Sequence, residues 1–334
     1  MSETLAVVSQ SGATVSFFDT DDYRLLGVTE VTAEPHELCF DPVNRLLWVS
    51  VPYKGGFYGN HTGHQSELVV IDPDTRRVVD TVDISPECGP HGLSLDAERG
   101  LLYVSVEEGG TYGGGVVVVD TASRKPVHRI GTGAPGPHWF EISPDGRTGY
   151  ATNKEAPFVS VVDIDRAEMV GRIEVPGSEN LAVTDTKLYV AAPWGGAPDS
   201  AHAGIRVFDR STHELLKVLP TDQPLIPVHH TASGKLLVGE MRLPTGSTSL
   251  LGGQAPGRMQ VFDTETDTWQ GEAEIGHLPM TIRSSLDGSR GYAACVVSST
   301  VDVIDLSTLE RITRLEIPST GAAGAHGLAS IPAA

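Results

Sequence analysis

Four short segments of this 334-residue chain carry a histidine in the same setting. They read EPHELCFD at 34–41, GPHGLSLD at 89–96, GPHWFEIS at 136–143 and AHGLAS at 325–330. In each, the histidine (His36, His91, His138 and His326) stands just before a run that alternates apolar and polar residues. Imidazole carries metal and proton chemistry near neutral pH. Clustered cationic imidazoles would repel one another, whereas neutral ones offer lone pairs to a common centre, as a divalent ion requires. A divalent metal ion (Fe, Cu, Zn or Mg) is therefore the expected cofactor, provided the fold gathers positions scattered from 36 to 326.

The elements that would gather them are repeats. Seven segments of alternating apolar residues end in aspartate: TVSFFD at Asp19, ELVVID at Asp72, GVVVVD at Asp120, FVSVVD at Asp163, GIRVFD at Asp209, RMQVFD at Asp263 and TVDVID at Asp305. Successive aspartates differ by 53, 48, 43, 46, 54 and 42. Periods near 40–50 with strand-like alternation point to propeller blades. Each aspartate is followed by a turn and a second run, and it can close the hairpin by accepting from backbone N–H groups about two residues on. Two more strands precede it, as in PHWFEISPDGRTGYATN, where SPDG marks the turn. Each blade thus has strands A to D, and the histidine slot opens strand A.

The chain begins in strand B (LAVVS) and ends in a strand A (HGLASI), so the two ends would meet in one blade and remove the exposed edges. The expected fold is all-β: a seven-bladed β-propeller of four-stranded blades over residues 1–334, one domain closed by N-terminal strands pairing with the C-terminal strand. The phrases SPDGRTGYATN, LLYVSV and KLYVAA resemble the YVTN-type repeats of bacterial seven-bladed propellers along nearly the whole chain. That resemblance implies the fold and leaves the activity to the site.

In such a blade strand A lines the central channel, and the D–A and B–C loops open on one face. The histidine slots then converge at one mouth, from consecutive blades. Glu179 and Met280 fill the slot in two other blades, and Leu225 or Ile226 in the last, with His229 and His230 further down strand A. Three B–C loops are long, VPYKGGFYGNHTGHQSE, PWGGAPDSAHA and MRLPTGSTSLLGGQAPG, and long loops in a compact fold are commonly functional. They offer Tyr53, Tyr58, Trp194 and Arg242 as substrate contacts. His61 and His64, three apart in a Gly-rich loop, are expected to be exposed. Just after strand B, Glu107, Glu155 and Glu240 are candidate general acids or bases, or acceptors for imidazole N–H groups. His128 and His213 fall on outer strands and are expected at the surface.

A formal net charge of −19 argues against nucleic acid or an anionic membrane as partner, and a small-molecule substrate is expected. The N-terminal segment MSETLAVVSQSG has no basic region and no long apolar core, which points to the cytoplasm. Cys39, Cys88 and Cys295 show no metal-ligand spacing and are expected to be reduced. No G-x-S-x-G, Walker-type, H-E-x-x-H or C-x-x-C motif is present. PHG-bearing propellers are similar to virginiamycin B lyase and to propeller lactonases, which implies a metal-dependent lyase or hydrolase. A four-histidine centre on a propeller also resembles the Fe(II) site of carotenoid-cleaving oxygenases, so oxygenation by Fe or Cu is the second expectation. A non-catalytic ligand- or protein-binding propeller is the third.

Overall fold

The structure is a computed structural model that describes residues 3–57, 59–109, 113–193, 203–243, 253–321 and 323–334. Seven four-stranded antiparallel sheets form the ring, and among the described residues there is no helix. No helix is therefore long and apolar enough to cross a membrane. Numbering blades along the chain, blade 1 is built from both ends. Strands B to D (Glu3–Ser9, Thr14–Asp19, Leu25–Glu30) come from the N-terminus, and the innermost strand A is Ala325–Pro332. The closing register runs from Glu3↔Pro332 to Ser9↔Ala325.

Burial follows from stacking sheet on sheet. The middle strands pack against a neighbouring blade on both faces, so they read as unbroken apolar runs: GVVVVD of blade 3 is buried along its first five residues. The outer strands alternate, as in EMVGRIE of blade 4. Every neighbouring pair shares a cluster of this kind. The last joint packs Leu5, Val7 and Phe18 of blade 1 against Tyr292, Val301 and Val303 of blade 7, which closes the ring hydrophobically as well as by hydrogen bonds.

All seven terminal aspartates of strand C accept from backbone N–H groups two or three residues on, from Asp21 N on Asp19 at 2.9 Å to Ser307 N and Thr308 N on Asp305 at 2.8 and 3.1 Å. Four residues after each aspartate the chain takes a left-handed conformation, at Tyr23, Arg76, Arg124, Ala167, His213, Asp267 and Leu309 (φ between 52° and 60°). That kink aims the side chain at the preceding blade. Asp267 receives hydrogen bonds from Lys187 Nζ and Tyr189, and Arg124 pairs with Asp80. His213, expected at the surface, stands half-buried edge-on to Tyr150 at 5.8 Å for the same reason. Replacing Asp305 by Ala leaves two turn N–H groups without their acceptor. A loss of about 1 kcal/mol is expected in urea unfolding, with no change in the m-value.

Candidate metal centre

The start of strand A is not a regular ladder. In blades 3 and 4 the pairing with strand B slips between Pro90 and Leu93 and between Pro137 and Phe140. A bulge of this kind re-aims one side chain, and here the residue re-aimed is the histidine. A hydroxyl on strand B fixes it. Ser105 Oγ accepts from Gly92 N (2.9 Å) and donates to His138 O of the next blade (2.6 Å). Thr152 Oγ1 accepts from Trp139 N (3.0 Å) and donates to Glu179 O (2.9 Å). In blade 2, Ser50 Oγ accepts from Glu37 N at 3.1 Å. The slots of blades 3 and 4 are thereby each tied to the slot of the following blade.

Neighbouring inner strands approach so closely there that two histidines must be followed by glycine. A Cβ on Gly327 would lie 2.4 Å from His36 O and 2.8 Å from Glu37 Cα, and one on Gly92 would lie 3.0 Å from His138 O and Trp139 Cα. Gly327 N also donates to His36 O at 2.8 Å. The HG pair in the sequence is thus a packing requirement of the channel wall.

The four slot histidines meet. Ring centroids are 3.8 Å apart for His326 and His36, 4.5 Å for His36 and His91, and 4.4 Å for His91 and His138. All four are buried. One ring nitrogen from each of His36, His91 and His138 falls within 4.8 Å of the other two. His326 packs beside His36 at the end of the arc. Its Nδ1 lies 3.2 Å from Glu37 Oε1 and 3.4 Å from Thr281 Oγ1, and Thr281 donates to the same carboxylate oxygen at 3.0 Å. His138 Nδ1 lies 3.4 Å from both the carbonyl and Oε2 of Glu179, whose Oε1 is held by Lys154 Nζ at 3.2 Å. His91 Nε2 contacts Glu107 Oε1 and lies 2.9 Å from Tyr53 Oη. Carboxylates behind three of four imidazoles are the arrangement that orients metal-ligating histidines.

Electrostatics differ along the cluster. Burial drives the pKa of His36 and of His138 well below the ordinary imidazole value, and repulsion among the histidines and from Lys154 adds to it. Both rings are therefore neutral and able to donate lone pairs. His36 Nδ1 is buried without a hydrogen-bond partner. Burial raises the Glu107 carboxyl, but His91, with hydrogen bonds from His64, His91 and Tyr53, outweighs it and holds that carboxyl far below the usual range. Glu107 stays ionised.

Of the other expected residues Tyr53 reaches the cluster, whereas Glu155, Glu240 and Arg242 do not join it. Tyr53 is wholly buried, and its hydroxyl donates to Glu107 Oε1 at 2.5 Å. Glu155 is exposed. Glu240 and Arg242 line a separate cavity of about 400 Å³, where Glu240 accepts from Gln260 Nε2 at 2.9 Å and burial raises its carboxyl pKa. Tyr58 and Trp194 lie outside the described residues. His229 and His230 are with Arg283 and Ser284 in a larger cavity, about 1060 Å³, at the other end of the channel, where strands A run into their A–B turns. His61 and His64, expected to be exposed, are part-buried against the cluster. A small hairpin, Gly56–Phe57 with Asn60–His61, folds the loop back and stacks His61 on Tyr53 at 4.6 Å. Sequence reasoning missed Glu37 and Thr281. The departure from HG to HE at His36 was the signal for the first.

No family model and no curated protein sequence matches the chain. Among solved structures it is similar to Kuenenia stuttgartiensis hydrazine synthase, with a TM-score of 0.65 and 16% identity over 84% of this chain and 86% of that one. It is also similar to the dihydro-heme d1 dehydrogenase NirN in complex with DHE, with a TM-score of 0.66 and 14% identity over 98% of this chain and 74% of that one. At such identities the likeness concerns the seven-bladed fold.

Gly327→Ala should force the His36 backbone to move and cost about 1–3 kcal/mol, read as a lower melting temperature. Gly171→Ala is the control. Its added Cβ would meet nothing nearer than 3.7 Å, and it should be neutral.

Proposed function

We propose that this propeller is a metal-dependent enzyme acting on a small molecule at one mouth of its channel. The observation that carries the reading is the convergence of buried His36, His91 and His138 nitrogens within 4.8 Å of one another. The residues fit a metal. The rings at 36 and 138 are neutral, His36 Nδ1 is buried without a partner, and an all-imidazole set suits Zn, Fe or Cu better than Mg, which prefers oxygen. When bound, such an ion supplies Lewis acidity.

The chain's own residues do the rest. Glu179, itself held by Lys154, and Glu37 fix the rings of His138 and His326. Glu107 and Tyr53 hold His91, and the Glu107 carboxylate would supply negative charge beside a bound ion. Glu107 is the one of the three proposed acid–base glutamates that touches the cluster, so any proton moved by a carboxylate is assigned to it rather than to Glu155 or Glu240. Tyr58 and Trp194, on the long B–C loops, are assigned to substrate contact.

Elimination or hydrolysis is the favoured chemistry, in keeping with the resemblance to virginiamycin B lyase and propeller lactonases. Kinship with the YVTN-type propellers belongs to the same reading. Oxygenation by Fe or Cu is the second reading, and the observation that favours it is the arc of four imidazoles rather than three. The two structural neighbours bear the names of a synthase and a dehydrogenase, which is compatible with a catalytic propeller.

Elemental analysis should find at least one equivalent of a first-row divalent metal in the purified protein. The double variant His91→Ala, His138→Ala should lose it, and Glu179→Gln should weaken it about 10–100-fold. Zn would favour lyase or hydrolase work, and Fe or Cu oxygenation. A folded protein that takes up no metal on titration leaves the non-catalytic binding propeller as the reading.

A further inference from the structure

We propose a second metal site, formed by His61, His64 and Glu107, with the same Glu107 carboxylate holding His91 of the three-histidine site. It rests on the metal-centre reading above and extends it to a two-metal centre.

One ring nitrogen from each of His61 and His64 and a carboxylate oxygen of Glu107 lie within 4.8 Å of one another. The two imidazoles are 4.4 Å apart, centroid to centroid, so they can serve a common centre. His61 Nδ1 is buried with no hydrogen-bond partner. The loop that carries the pair is built. Lys54 N donates to Gly63 O and Thr62 N to Gly55 O, both at 2.9 Å, and His64 opens strand C opposite Tyr53. A side chain at Gly56 (φ 97°) would strike Asn60 O at 2.3 Å, so the hairpin that lifts His61 over Tyr53 depends on that glycine.

Glu107 divides its two oxygens between the sites. Oε1 faces His91 and Tyr53, and Oε2 lies 2.8 Å from His64 Nε2. Glu107 thus belongs to the His61/His64 group and, through its contact with His91, also holds a ligand of the three-histidine group. Two imidazoles and one carboxylate form the donor set of catalytic Zn and non-haem Fe sites with open positions. Paired ions a few ångströms apart stabilise attacking and leaving oxygens together. A neighbouring combination, His64 with Cys88 and Glu108, is weaker: the Glu108 side chain is 66% exposed and 3.7 Å from His64 Nδ1, against 7% and 2.8 Å for Glu107.

The test is stoichiometry. Chelator-stripped full-length protein is titrated with Zn(II) by equilibrium dialysis, ions are counted by elemental analysis, and thermal melts check folding. Wild type should take up two equivalents. His61→Ala, His64→Ala should take up one, and so should His36→Ala, His138→Ala. Glu107→Gln should weaken both sites at least tenfold. Should an alanine pair fail to fold, His61→Asn, His64→Asn replaces it. One equivalent in wild type, unchanged in the His61/His64 variant, overturns this second site and leaves the first standing. One equivalent lost in that variant but kept in the His36/His138 variant supports this site and overturns the three-histidine reading. No uptake at all overturns both.

Discussion

The innermost strands of neighbouring blades come within a methyl group of touching at the channel mouth, and the site depends on that contact. Where His326 and His91 are followed by glycine, the missing Cβ lets the next blade's backbone press in. The hydroxyls of Ser105 and Thr152 then clamp the slots of blades 3 and 4 to the following blade. Imidazoles on four separate sheets end up 3.8–4.5 Å apart from one to the next.

Burying such a group is costly. An unpaired buried nitrogen such as His36 Nδ1 costs roughly 1–3 kcal/mol, and burial forces the rings of His36 and His138 into their neutral form. The chain does not relieve this by spreading the histidines out. It adds carboxylates behind them, Glu37, Glu107 and Glu179, each bonded in turn to a hydroxyl or ammonium group. Buried imidazoles backed by carboxylates are the arrangement on which the proposed metal reading rests.

The two ends of the channel are chemically different. At the far end, where strands A meet their turns, Arg283 stacks on Trp139 at 5.0 Å and His229 bonds Ser284 at 3.1 Å, in the larger cavity. The histidine cluster occupies the end opened by the D–A turns. Cavity size and chemical content therefore point to opposite mouths, and the convergent donors decide between them, because an empty channel mouth needs no explanation and a buried histidine cluster does.

The sequence by itself determined the architecture. Seven aspartate-ended apolar runs, four histidine slots and a chain that starts in strand B and ends in strand A required a closed seven-bladed ring, because local alternation and turn chemistry are written residue by residue. It also placed His36, His91, His138 and His326 in one slot. What it could not determine was which side chains on different blades touch. Counted from the strand-B residue that pairs with the terminal aspartate (Leu101, Thr148 or Lys235), Glu107 stands six residues on, Glu155 seven and Glu240 five, and Glu107 turns onto His91, Glu155 is exposed and Glu240 lines a cavity of its own. His61 and His64 read as loop residues until a two-stranded hairpin folded them back. Those contacts depend on the twist between blades and on loop paths, which are set by packing between segments far apart in the chain, and only the tertiary structure decided them.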